Sequence, residues 1–192
     1  MSAYKKLVNW AFHSNMNNII NIFLCIALFF SSGCTTKTPS KELKLFNSES
    51  FIRNEIVKLK NDKSTLLKSV NYNRQNEIIQ VDTVDWSKEF ELIVASNLSE
   101  KYLSYQTDTI QENDSTIVTY TAKETKAEVR KFVVVNYNNT IKRISILRMK
   151  ENAFYYSRQE IEYLPQTIFT ISAKEKMILS DTTSYRITGV IK

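Results

Sequence analysis

Most catalytic and cofactor chemistry begins at cysteine, histidine or a glycine-rich loop, and this chain of 192 residues holds two cysteines, one histidine and two glycines. Their positions are as telling as their number. His13 and Cys25 fall in the first 33 residues, and Cys34 closes the run Ile22–Cys34, which is apolar and ends in Ser31-Ser32-Gly33-Cys34. A thiol in that place, behind Lys5 and Lys6 and a short apolar stretch, reads as the acceptor of a lipid: a bacterial lipoprotein signal peptide over residues 1–33, cleaved before Cys34. The apolar run reaches back to Ile19 only through Asn21, short of the ~20 residues that cross a bilayer. The match departs from the usual box at Ser31, where a leucine is normally found. The expectation is a protein of the bacterial cell envelope, held to a membrane by lipid on Cys34 and facing the periplasm.

Cleavage there would leave one glycine, Gly189, and neither an imidazole nor an unmodified thiol. Without imidazole there is no Ser-His-Asp or Cys-His mechanism and no His-ligated zinc site. With a single glycine there is no phosphate-cradling loop and no nucleophile elbow. No metal site and no cofactor are expected. Removing Lys5 and Lys6 from the 26 basic residues leaves 24 against 20 acidic ones, about +4 with both signs interspersed. That is a solvated surface, and nucleic acid is not an expected partner.

Carboxylates, amines and phenols remain. Glu160 and Glu162 stand two apart, so on a strand they share a face, as a glycosidase-like acid pair would require. No neighbour is visible that would split their pKa values, and the expected reading is solvated strand charge, with no catalytic residue assigned. Arg130, Lys131, Lys142, Arg143, Arg148 and Lys150 could bind phosphate only from one shared face. Phe154, Tyr155, Tyr156, Tyr163 and Phe169 could line a ligand cleft, although such residues are more often core and cross-strand pairs.

The elements that must position these residues follow from periodicity. Thr35–Ser40 is a polar, Pro-containing tract, and residues 34–46 read as the lipidated cysteine and its tether. Residues 47–192 read as a single α+β domain. Ser48 is placed to cap a helix with Phe51, Ile52, Ile56 and Leu59 on one stripe, failing near Asn61-Asp62. Leu66–Val81 suggests a hairpin turning at Asn73–Asn76. Asp85 caps a second helix, with Trp86, Phe90, Ile93, Val94 and Leu98 on one stripe. From Thr107 onward about seven strands are expected, at 116–122, 128–137, 140–149, 154–164, 167–172, 176–179 and 184–191. Connections this short leave no room for crossover helices, so the strands form an antiparallel meander. Asn138-Asn139 suits a primed hairpin turn because asparagine tolerates positive φ.

Simple pairing about that turn puts Val129, Val133, Val135, Tyr137, Ile144 and Ile146 on one face. Phe132, Val134, Ile141, Leu147 and Met149 fall on the other. Neither face is cleanly polar, so both are expected to be partly covered, one by the two helices and the other by sheet curvature, a partner or a ligand. The segments Asp85–Leu92, Val118–Lys123 and Tyr155–Tyr163, set in the order helix, hairpin, helix, meander, resemble the small uncharacterised envelope lipoproteins of Bacteroidota. The resemblance implies a lipid-anchored envelope domain and brings no activity or site residue with it. The functional expectation is a non-enzymatic lipoprotein that binds an envelope protein or helps assemble an envelope complex. The alternative is a carrier of an apolar or lipid ligand in a cup formed by a curved sheet.

Overall fold

The computed structural model of the protein describes residues 45–73, 75–98 and 105–192. The expected signal peptide, Cys34 and nearly all of the expected tether lie outside the described residues. The described body already begins to pack at Leu45 and Phe46. The Phe46 ring lies 6.0 Å from Phe51 and 5.8 Å from Phe132, centroid to centroid.

The first helix, α1 (Ser48–Asn61), forms where the 3.6-residue period of Ile52, Ile56 and Leu59 predicts it, and those residues are buried. Its cap is Asn47 rather than Ser48: the Asn47 side chain accepts the Ser50 N–H at 2.8 Å. Ser48 is instead buried, and its hydroxyl donates to Asn97 Oδ1 at 3.0 Å. The second helix is two short ones, α2 (Trp86–Glu89) and α3 (Glu91–Val94), separated at Phe90, whose φ of −101° and ψ of 7° leave the helical region. Asp85 caps α2 as expected, accepting the Ser87 N–H. Trp86, Phe90, Ile93 and Leu98 are buried, and Val94 is half-buried.

Nine strands form one antiparallel sheet: β1 (Leu66–Tyr72), β2 (Gln75–Val81), β3 (Tyr105–Glu112), β4 (Ser115–Ala122), β5 (Val129–Tyr137), β6 (Thr140–Glu151), β7 (Tyr155–Leu164), β8 (Ile168–Met177) and β9 (Thr183–Ile191). The order is β2-β1-β9-β8-β7-β6-β5-β4-β3. The meander is as expected, with two revisions to its count. The stretches 167–172 and 176–179 are one continuous strand, and β3, polar at most positions, adds another. The β1–β2 hairpin joins the same sheet because the chain end, β9, pairs with β1. Strands outweigh helices, so the domain is mainly β with short helices on one face. The sheet is open and uncurled, with β2 and β3 as its edges, so the curved meander and the cup it would make are not formed.

The expected face assignment is also corrected. Asn138 and Asn139 do turn the β5–β6 hairpin, with φ of 49° and 59°. Between them and the sheet's middle, however, the register shifts: Asn136 pairs with Ile141 but Val135 pairs with Arg143, leaving Lys142 as an extra residue. A one-residue slip exchanges the faces of everything beyond it. Phe132, Val134, Ile144 and Ile146 therefore share the buried face, and Val133 and Val135 look outward. A second shift between Val129 and Lys131 returns Val129 to the buried side. The broken alternation that suggested two covered faces is the mark of two bulges.

On the covered face, Trp86, Phe90, Tyr163 and Phe169 stack edge to tilted, with Phe90 5.0 Å from Tyr163 and 5.5 Å from Phe169. Gly189 pairs with Phe169 on the neighbouring strand, and a Cβ there would run into the Phe169 ring and come within 2.9 Å of Leu66. The glycine makes room for the aromatic ring. Glu55 of α1 is buried with its charge matched: the Tyr163 hydroxyl donates to Oε2 at 3.1 Å, and the Lys58 ammonium reaches Oε1 at 2.8 Å. That pair joins α1 to the sheet across 108 residues of sequence.

Candidate functional site

The uncovered face of the sheet carries its side chains in rows that the register aligns. Leu147, Glu160, Ser172 and Arg186 occupy one row across β6, β7, β8 and β9, and Ser145, Glu162, Thr170 and Thr188 occupy the next. Together with Lys131 and Arg158, all of these but Thr188 bound an open groove of about 590 Å³. Period-2 alternation brings Glu160 and Glu162 to this one face, as expected. Arg158, two residues earlier on the same strand, also points there, and its guanidinium holds Glu160 Oε1 at 2.6 Å. Arg186 arrives from β9, and its Nε donates to Ser172 Oγ at 3.0 Å. The groove is a charged surface of alternating sign in contact with water. Glu160 is a salt-bridged, exposed carboxylate. Ion pairs of this kind contribute little to stability, so their conspicuous feature is the pattern they present.

The other expected groups are dispersed. The six basic residues are split between faces, as simple pairing indicated, though the bulges decide which goes where. Lys131 borders the groove, while Arg148 lies on the covered face and is half-buried. The Arg130 guanidinium donates to the Glu124 carbonyl at 3.0 Å. No single phosphate-binding patch results. The five aromatics do not gather in one cleft. Tyr163 and Phe169 are core, Tyr155 is half-buried on the covered face, and Phe154 is 70 % exposed in the β6–β7 turn.

The covered face has a polar end that the spacing did not reveal. Arg148 on β6 donates to Glu128 Oε2 at 3.0 Å, and Lys150 approaches Glu128 Oε1 at 3.5 Å. Burial would raise the Glu128 pKa, but the hydrogen bond from Arg148 and the Lys150 and Arg148 charges outweigh it and hold the carboxyl below its usual range. Nearby, burial and the Glu175 charge push the Tyr185 phenol up. A cleft of about 470 Å³ beside α2 and α3 is floored by Phe169, Ile171 and Ile187 and flanked by Leu92, with the Lys68–Glu89 ion pair (2.8 Å) at its rim. Arg158, two residues from Glu160, was legible from strand period alone. Arg186, Glu128 and the cleft depend on pairings between distant segments.

Among the described residues no three His, Cys, Asp or Glu side chains gather as metal ligands, and no helix is long and apolar enough to cross a membrane. No protein-family model, no curated protein and no solved structure matches the chain, so its assignment rests on these residues and their arrangement alone.

Proposed function

We propose that this protein is a non-enzymatic lipoprotein of the bacterial envelope, tethered through Cys34, whose sheet domain docks a protein partner on its uncovered face. One observation carries the reading: a broad face free of helices among the described residues presents Lys131, Arg158, Glu160, Glu162 and Arg186 in register around an open groove. Alternating charges of this kind favour a partner segment of opposite pattern and give specificity and association rate more than raw affinity. The absence of imidazole from residues 34–192 supports a binding role over catalysis.

The test is a pull-down of the full, lipidated chain with mass spectrometry of co-purifying proteins and extracted lipids, repeated with Arg158→Glu/Arg186→Glu. A protein partner retained by the native chain and lost with the charge reversals is the expected result. Retention undiminished by both reversals would remove this face from the reading. Cys34→Ser should abolish acyl labelling, and labelling that persists would remove the anchor. A second reading, carriage of an amphiphile, is favoured by the apolar floor of the 470 Å³ cleft and would appear as stoichiometric extracted lipid.

A further inference from the structure

The two edges of the sheet are built differently, and β2 is the unguarded one. Backbone hydrogen bonds show which of its groups are left without a partner among the described residues. Thr65 and Lys192 exchange N–H···O=C bonds of 2.8 and 3.0 Å, and the Asn73 N–H donates to the Ser184 carbonyl at 3.2 Å. Odd-numbered residues of β1 therefore bond to β9, and even-numbered ones bond to β2, because ladder bonds alternate sides along a strand. Leu66, Lys68, Val70 and Tyr72 thus engage Val81, Ile79, Glu77 and Gln75. The N–H and C=O groups of Asn76, Ile78 and Gln80 point away from the sheet. Ile78, at the centre of the three, is 64 % exposed. The strand has no proline, no lysine and no bulge, which are the usual guards of an edge.

We propose that β2 pairs antiparallel with β2 of a second copy of this chain about a twofold axis at Ile78, making one continuous eighteen-stranded sheet of the two nine-stranded ones. Only registers that keep each face continuous are allowed, and the one engaging all three outward residues sets Asn76 against Gln80 of the second copy and Ile78 against Ile78. The amides can hydrogen-bond across the seam, the isoleucines cover each other, and Glu77 meets Ile79, so no like charges are opposed. The opposite edge meets a carboxylate clash in its fullest self-overlap, which only a shifted register with fewer backbone bonds relieves. Overlapping Tyr105–Gln111 of β3 with its own copy sets Asp108 directly against Asp108, and Glu112 adds a second carboxylate to that edge. Pairing β2 with β3 of another copy would not close and would run on into a filament. The symmetric β2 seam is the contact that both satisfies the spare backbone groups and stops at two. It uses the sheet's edge, leaves the charged groove open, and stands apart from the proposed function.

The test is the mass of the full chain in mild detergent by sedimentation, together with three substitutions at exposed positions. The native chain should sediment as a dimer. Ile78→Lys, which opposes two ammonium groups, should shift it to monomer, as should Ile78→Glu, and an equimolar mixture of the two should recover the dimer. Gln80→Pro removes an edge-facing N–H that β1 does not use, and should also yield monomer with unchanged circular dichroism. In an Ile78→Cys variant the paired Cα atoms would stand about 5.5 Å apart, within disulfide range, so mild oxidation should give a covalent dimer whose disulfide maps by mass spectrometry to position 78 of both copies. A monomeric native chain, a dimer insensitive to both charge variants, or an open-ended ladder of higher species would each overturn the proposal.

Discussion

The two faces of this sheet are made by the same strands and obey opposite rules. On the helix-covered side, the inner strands contribute their apolar alternate positions, and the fully buried charge there, Glu55 of α1, is matched by Tyr163 and Lys58. On the other side the same strands contribute Arg158, Glu160, Glu162, Ser172 and Arg186, and the Arg158–Glu160 ion pair sits in water. A contact on the first face excludes water and cannot be replaced by solvent, whereas a contact on the second competes with hydration at every moment. Stability and the proposed docking are therefore separated by a single alternation along the inner strands.

The strongest way to break that contrast is to hollow the covered face. Trp86→Ala or Phe90→Ala should destabilise the fold by about 3–5 kcal/mol, read from denaturant midpoints. A loss of a few tenths would mean that α2 and α3 lie on the surface. Adding volume tests the same face from the other direction. Gly189→Ala sets a methyl against the Phe169 ring and should cost about 1–3 kcal/mol, with a loss of near-ultraviolet dichroism from the aromatic cluster.

Tyr163→Phe sharpens the comparison because it removes one hydroxyl and no packing. Glu55 would lose a buried donor, at about 1–3 kcal/mol at neutral pH. The pH dependence adds a sign. Burial raises the Tyr163 pKa well above the ordinary phenol value of about 10; the Gln166 N–H opposes this, and the Glu55 charge adds to it. A raised acid keeps its proton longer when folded, so its contribution is full below about pH 10 and is lost as pH rises through the folded value. The phenylalanine variant should begin less stable yet fall less steeply above that pH. A parallel fall in both proteins would show that the phenol is not buried as described.

The weakest effects belong to exposed carboxylates. Glu160→Gln with Glu162→Gln should change stability by no more than about 0.5 kcal/mol and leave a screen against glycan, ester and peptide substrates at background. Turnover that vanished in the double variant would make these two residues a catalytic site. Glu128, about half exposed, has a depressed pKa, so it supports the fold above the usual carboxyl range and ceases to as pH falls through its folded value. Glu128→Gln should flatten acid unfolding slightly, and an unchanged acid limb would mean that Arg148 and Lys150 do not act on it.

Local patterns determined a good deal of this molecule on their own. The stripe of α1, the cap at Asp85, the asparagine turn at 138–139 and the shared face of Glu160 and Glu162 each depend on residues within a few positions of one another, where period and backbone preference act directly. Tertiary structure decided the rest. Asn47 could cap α1 because Ser48 was drawn inward to Asn97. Lys142 could bulge because the cost of one unpaired residue is small beside that of turning Ile144 and Ile146 toward water. The hairpin of β1 and β2 joined the meander only because β9, more than a hundred residues later, offered it an edge. Register between distant strands is a competition among whole faces for burial, and no window of neighbouring residues contains both competitors.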